Sequence, residues 1–178
     1  MNKVAILIGH RSNRKGAYSE WMDVTEYDYM RKVASYLTDI ADVYERPNTF
    51  GVSEGYRIKQ VVNKINKRRY DLVISLHFNS FEHYKAHGAT ALHYITNVFT
   101  KAVGKRFIEL CHQQFGSRER DLIPITSKKQ RGGTFIMGIH SPAILLEPFF
   151  GSNPADCVEF IDAEEKYANI LRQLICEL

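Results

Sequence analysis

The sequence predicts an α/β domain built on a mixed, largely parallel central sheet flanked by helices. Short apolar runs of strand length alternate along the chain with longer segments in which apolar residues recur every three or four positions. The runs are continuously apolar, which is typical of strands covered on both faces. With 178 residues and 44% hydrophobic composition the chain can form one good core, and no repeat or linker divides it. We expect a single three-layer domain over residues 1–178.

The first half of the chain is predicted to contain three strands and two helices. Strands are expected at residues 4–8, 42–45 and 71–76, and helices at residues 25–40 and 56–67. In the first helix, Met30, Val33, Leu37 and Ile40 recur at helical spacing and define a buried face. The polar stretch between the first strand and this helix contains Gly16 and is predicted to be a loop.

The second half is predicted to continue the alternation. Strands are expected at residues 89–95, 134–137 and 142–146, helices at residues 98–115 and 163–178, and an irregular basic segment at residues 116–133. The last helix is amphipathic, and packing on the sheet is favoured over binding to a membrane surface.

Composition excludes several classes of protein. No run approaches the roughly 20 apolar residues of a membrane helix, so we expect no membrane insertion. The net charge is only +4, and the basic stretch contains few aromatic residues, so nucleic-acid binding is not expected. Three widely spaced cysteines favour neither a cysteine zinc site nor a disulfide framework. The initial apolar run is too short for a signal peptide, so we expect a protein that is cytoplasmic when synthesised.

Polar side chains follow three of the predicted buried strands. His10 follows the first, His77 and Asn79 follow the third, and Glu147 ends the last. Ligands of open α/β sheets bind beyond the carboxyl ends of the strands, so these side chains can converge on one cleft. Each alone is weak support, because a histidine just past a strand is more often a structural residue.

Glu26 is the fifth candidate. It lies four residues before Met30, in phase with the buried face of its helix, where a carboxylate needs a partner or a metal. Stabilisation of the helix N-terminus and a capping contact near Thr25 explain it equally well. Glu20, in the polar loop, is the rival carboxylate.

Two imidazoles and one carboxylate form a catalytic zinc set with a position left for water. Zinc polarises a carbonyl and acidifies bound water, and Glu147 is then free to act as general base and to protonate a leaving amine. The chemistry indicated is hydrolysis of an amide or a similar bond.

In the order of these elements the chain resembles the zinc-dependent N-acetylmuramoyl-L-alanine amidases, a family that carries GHGG, SxHxN and LxExxFxxN motifs. The matching stretches extend over nearly the whole predicted domain. They are Ile8-Gly9-His10 with Gly16-Ala17, Glu26 at the start of its helix, Ser75-Leu76-His77-Phe78-Asn79, and Leu145-Leu146-Glu147-Pro148-Phe149-Phe150-Gly151-Ser152-Asn153.

The resemblance implies that His10, Glu26 and His77 are zinc ligands and that Glu147 is the catalytic carboxylate. It also implies that Asn79 contacts the substrate, peptidoglycan, at the amide between N-acetylmuramic acid and L-alanine. The chain departs from the family where Leu7-Ile8 replaces Asp-Pro and Arg11-Ser12 replaces Gly-Gly. The second departure changes the rim of the cleft and hence the expected substrate preference.

The sequence shows neither an export signal nor a wall-binding module, as in a phage endolysin that reaches the wall through a holin pore. Two alternatives stay open, a non-catalytic module that binds peptidoglycan fragments and a zinc hydrolase of another amide. Oligomeric state is not indicated.

For several other residues, the sequence allows either a role in the site or ordinary packing. They are the histidines His83, His87 and His93, the segment Arg131-Gly132-Gly133, and the aromatic residues Tyr18, Trp21, Tyr27 and Tyr29.

Overall fold

The computed structural model describes residues 2–178. These residues form a domain with a central six-stranded sheet. The strands are β1 (Val4–Ile8), β2 (Tyr18–Ser19), β3 (Val24–Thr25), β4 (Ala41–Tyr44), β5 (Leu72–Leu76), β6 (Ala89–Tyr94), β7 (Glu119–Ile125) and β8 (Ala143–Glu147). The sheet order is β4-β1-β5-β8-β6-β7, and β2 and β3 form a separate hairpin. β6 runs antiparallel to β8 and parallel to β7. The other four strands therefore end at the edge where β6 and β7 begin.

Helices cover both faces of the sheet. They are α1 (Glu26–Ser35), α2 (Glu54–Ile65), α3 (Val98–Phe115), α4 (Gly133–Ile136), α5 (Pro154–Phe160) and α6 (Glu164–Cys176). The larger core cluster includes Met30, Phe107 and Tyr167 from α1, α3 and α6. The smaller cluster, on the opposite face, includes Val61 of α2 and Phe135 of α4. Every residue of β1, β5 and β8 is buried, which explains why these strands are apolar except at Ser75 and Glu147.

The predicted fold class is confirmed, and most elements lie where the apolar patterns place them. The first helix is shorter than predicted, because it ends at Ser35 rather than at residue 40. Leu37 is nevertheless buried and Ile40 packs against the core, since the turns after the helix continue the apolar face. The polar stretch around Gly16 that is predicted to be a loop contains β2, and α5 was not predicted at all.

Two predictions in the second half are wrong. Residues 119–125 form β7, although the segment lacks a strand-like apolar pattern. As the outermost strand it is exposed along most of its length, and an edge position also tolerates Pro124. Residues 133–136 form the helical turn α4 rather than a strand. Among residues 2–178, no helix is both long and apolar enough to cross a membrane.

Candidate metal centre and catalytic cleft

Backbone pairing brings three predicted site residues to one edge of the sheet. β1, β5 and β8 are neighbours, and their ladder continues past the strand ends. There the N–H of Gly9 donates to the carbonyl of Leu76 at 2.9 Å, and the N–H of His77 donates to the β8 backbone at 3.0 Å. The side chains of His10, His77 and Glu147 therefore start from adjacent positions at the carboxyl ends of parallel strands.

Glu26 reaches this edge from the first turn of α1. The side chain of Thr25 caps the helix, and the N–H of Glu26 donates to the carbonyl of Ala17 at 2.8 Å. The Glu26 side chain is buried, with 4% of the residue exposed. Its Oε1 lies 2.7 Å from Nδ1 of His77, and its Oε2 lies 3.0 Å from Nε2 of His10.

Two glycines make room for this cluster. A Cβ on Gly16 would lie 2.6 Å from Oε2 of Glu26 and 2.6 Å from Cδ2 of His10, and the Gly16 φ of 81° also favours glycine. A Cβ on Gly9 would lie 2.6 Å from the ring of His77. His10 itself has a φ of 63°, a left-handed conformation that non-glycine residues adopt mainly at functional sites and turns. The backbone is thus shaped around the three side chains.

The protonation states of Glu26 and His77 favour the binding of a cation. Burial opposes charge on Glu26, but hydrogen bonds and charge interactions with His10 and His77 outweigh it and lower the pKa of the carboxyl. Burial lowers the pKa of His77, which favours the neutral imidazole. Nε2 of His77 is buried and has no hydrogen-bond partner among residues 2–178.

His10, Glu26 and His77 each offer a ligand atom, and these atoms lie within 4.8 Å of one another. Two imidazoles and a carboxylate are a donor set that zinc accepts in catalytic sites. The buried unpartnered nitrogen and the ionised carboxylate fit a bound metal ion. The three residues can therefore hold a metal.

Glu147 lies beside the cluster as a buried carboxylate with 3% of the residue exposed. Its Oε2 accepts a hydrogen bond from Nδ2 of Asn79 at 3.1 Å, and its Oε1 pairs with Nη1 of Arg131. Burial raises the pKa of Glu147 to about 7, although Arg131 acts in the opposite direction. A carboxyl with this pKa can accept and donate a proton near neutral pH.

A cavity of about 580 Å³ is lined both by Glu147 and by the three residues that can hold a metal, His10, Glu26 and His77, called the metal cluster below. All five predicted site residues line it, namely His10, Glu26, His77, Asn79 and Glu147. Glu20 is instead exposed in the turn of the β2–β3 hairpin. Of the two rival carboxylates, the structure places Glu26 with the histidines.

The structure adds two arginines, Arg131 and Arg46, to the predicted residues of the cavity. For Arg131 the sequence allowed either a place in the cleft or a place in a turn. The structure shows that it lines the cavity and contacts Glu147. Arg46 also lines it and was not singled out, although its position just past a predicted strand is the signal that identified His10 and His77. Tyr27 and Tyr29 are buried in the core, whereas Trp21 is half exposed.

Comparison with protein families shows the family of the chain. The model of a family described as N-acetylmuramoyl-L-alanine amidase matches residues 4–177. None of the curated proteins searched matches the chain.

Several solved structures share the fold. The catalytic domain of the CD27L endolysin, which targets Clostridia difficile, is 20% identical with a TM-score of 0.83, and the match covers 99% of this chain and 98% of that one. An N-acetylmuramoyl-L-alanine amidase from Clostridium difficile 630 is 17% identical with a TM-score of 0.75, covering 99% and 97%. AmiC2 of Nostoc punctiforme, another such amidase, is 16% identical with a TM-score of 0.70, covering 98% and 96%.

Proposed function

We propose that this chain, which belongs to the N-acetylmuramoyl-L-alanine amidase family, hydrolyses its peptidoglycan substrate with the help of a zinc ion. The bond cut is the amide between the lactyl group of N-acetylmuramic acid and L-alanine of the stem peptide. Residues 1–178 act as one catalytic domain in this proposal. The observation that carries it is the placement of a buried His-Glu-His cluster and a buried glutamate of raised pKa in one cavity.

His10, Glu26 and His77 would hold the zinc ion. When bound, zinc supplies Lewis-acid polarisation of the scissile carbonyl and lowers the pKa of water. The lowered pKa values of Glu26 and His77 support this assignment, because they favour the ionised carboxylate and the neutral imidazole that bind a metal.

Glu147 acts as general base and then as general acid. It takes a proton from the attacking water and delivers it to the amine of L-alanine as the carbon–nitrogen bond breaks. Its pKa of about 7 makes both transfers accessible near neutral pH. Arg131 and Asn79, which each contact one carboxylate oxygen, hold the group toward the cavity.

Product analysis tests the proposal. Purified protein is incubated with peptidoglycan, and the soluble products are analysed by mass spectrometry. We expect peptides that begin with a free L-alanine amine and glycan strands that keep their lactyl groups. Digestion should stop with a strong chelator and return with added zinc. Cut glycan strands, peptides cut elsewhere, or full activity in metal-free protein would contradict the proposal.

We also propose that the protein acts as a phage endolysin, synthesised in the cytoplasm and reaching the wall through a holin pore. The likeness to an endolysin catalytic domain over nearly all of both chains supports this role. Bacteria that express the chain should lyse only when a holin is co-expressed, as followed by culture turbidity. Rapid lysis without a holin would refute the pore-dependent role and leave the amidase chemistry untouched.

A further inference from the structure

Arg46 is a cation of the cavity that the proposed chemistry does not use. It lies two residues past β4, the edge strand next to β1, and its side chain lines the same cavity as the metal cluster. Its Nε is buried and has no hydrogen-bond partner among residues 2–178. A buried guanidinium nitrogen without a partner is unfavourable and calls for an explanation.

The carboxylates that attract Arg46 are engaged with other residues. Glu54 and Glu26 are the two acidic groups that favour its charge. Glu54 accepts hydrogen bonds from Arg11 at 2.8 Å and from Arg57 at 2.9 Å. Glu26 is bonded to the two histidines of the metal cluster. Within the described part of the chain, neither carboxylate forms a hydrogen bond or an ion pair with Arg46.

The position of Arg46 fits an anionic group of the substrate. Neighbouring strands are about 4.8 Å apart, so Arg46 lies one to two strand spacings, about 5–10 Å, from the side chains that follow β1 and β5. An extended peptide covers this distance in two or three residues. Lys128 and Lys129, which line the same cavity, add positive charge to its rim.

We propose that Arg46 binds a carboxylate of the stem peptide and thereby makes the enzyme prefer substrates in which that carboxylate is free. This inference rests on the proposed function. A planar guanidinium can form two parallel hydrogen bonds to a carboxylate, and a neutral carboxamide cannot replace that pairing. The peptide side of the scissile bond carries the free α-carboxylate of the glutamate at the second position, whose side-chain carboxyl forms the peptide bond, and the carboxylate at the peptide's C-terminus.

The test compares three muropeptides. One has both of these carboxylates free, one is amidated at the α-carboxyl of its second residue, and one is amidated at its C-terminus. We expect the wild-type enzyme to lose roughly 10- to 100-fold in kcat/KM, mainly through KM, on one amidated substrate, which identifies the carboxylate. The Arg46→Gln enzyme should show no such preference, and Arg46→Lys should retain part of it.

Arg14→Gln is the matched control. Arg14 is exposed, lies 3.6 Å from Glu54 and does not line the cavity, so its loss should leave the preference intact. An unchanged preference in Arg46→Gln, or equal wild-type rates on all three substrates, would overturn the proposal.

A binding measurement separates this inference from the amidase activity. Calorimetry of the free and amidated stem peptides, without sugar, should show the same Arg46-dependent preference in Kd. If no muropeptide is cleaved but the peptides are still discriminated, the proposed reaction is wrong and the role of Arg46 stands. If cleavage occurs and neither KM nor Kd depends on amidation, the role of Arg46 is wrong and the reaction stands.

Discussion

Nδ1 of His77 lies 2.7 Å from Oε1 of Glu26, although 51 residues separate the two in the chain. The contact joins the end of the central strand β5 to the first turn of α1, and both side chains are buried. His10 completes the cluster from the end of β1, 3.0 Å from the other carboxylate oxygen. Glu26 is thus the residue that ties the two histidines together, and its loss should affect both.

Replacement of Glu26 tests the assignment of the ligands. Glu26→Ala should lose bound zinc and amidase activity together, because it removes the anionic member of the cluster. Glu20→Ala is the matched control, since Glu20 is exposed in the β2–β3 turn and should keep both properties. Metal content per chain and product release measure the two effects. The reverse pattern would overturn the ligand assignment.

Gly16→Ala should weaken metal binding more than it weakens folding. The added methyl group would lie 2.6 Å from atoms of Glu26 and His10, so the ligands have to move apart. Gly51→Ala provides the control, because Gly51 also has a positive φ but no atom of residues 2–178 lies within 4 Å of the added Cβ. Both variants carry a conformational cost of about 1 kcal/mol, measurable by urea unfolding. Equal zinc affinity in the two variants would contradict the steric argument.

The convergence of the site could be predicted because it follows from local patterns. His10, His77 and Glu147 each lie at or just past the end of a mostly apolar strand, and parallel strands present such ends at one edge of a sheet. The phase of Glu26 on the buried face of α1 made it a candidate, and the family resemblance gave it the role of a ligand. The helical period fixes the direction of the Glu26 side chain, whereas for the other three residues the strand end fixes only the edge of the sheet.

Other parts of the structure depend on long-range contacts that leave no local pattern. β7 is an exposed edge strand that pairs with β6, so its residues show no apolar alternation. The contact of Arg131 with Glu147 requires the turn before α4 to fold over the cavity. The sequence also cannot show that Nε of Arg46 lacks a hydrogen-bond partner among residues 2–178, because this depends on which residues pair with Glu54 and Glu26.

Glu147→Gln should keep the bound metal and lose most of the activity. The substitution preserves size and the hydrogen bond with Asn79 but removes the ability to exchange a proton. General acid–base catalysis contributes about 10²- to 10⁴-fold, so kcat should fall by that factor. Zinc content and binding to intact peptidoglycan should change little. Near-normal kcat in a folded, zinc-loaded variant would exclude the catalytic role.

The stability of the metal-free protein should depend on pH through Glu147. Its pKa is raised from 4.5 to about 7 by burial. Between these values the folded chain holds a proton that the unfolded chain has released, so the free energy of unfolding falls as pH rises. The contribution is fully present below pH 4.5 and lost above about pH 7, a change of about 3 kcal/mol.

Urea unfolding of wild type and Glu147→Gln at several pH values isolates this effect, because glutamine does not titrate. Relative to wild type, the variant should be more stable at pH 8 than at pH 4.5 by about the same 3 kcal/mol. A difference that does not change with pH would show that Glu147 titrates normally.

Arg131 should set the acid limb of the pH–activity profile. Its guanidinium pairs with Oε1 of Glu147 and holds the pKa of that carboxyl below the value that burial alone would give. A general base acts in its ionised form, so kcat/KM rises with pH through this pKa. Arg131→Gln removes the opposing charge, and the acid limb should move to higher pH by roughly one unit. Arg131→Lys keeps a positive charge and should move the acid limb less.

The profile is measured by peptide release from a soluble muropeptide between pH 5 and 9, with zinc content checked at each pH. A limb that stays in place in Arg131→Gln, or moves to lower pH, would mean that Arg131 does not control the ionisation of Glu147 during catalysis.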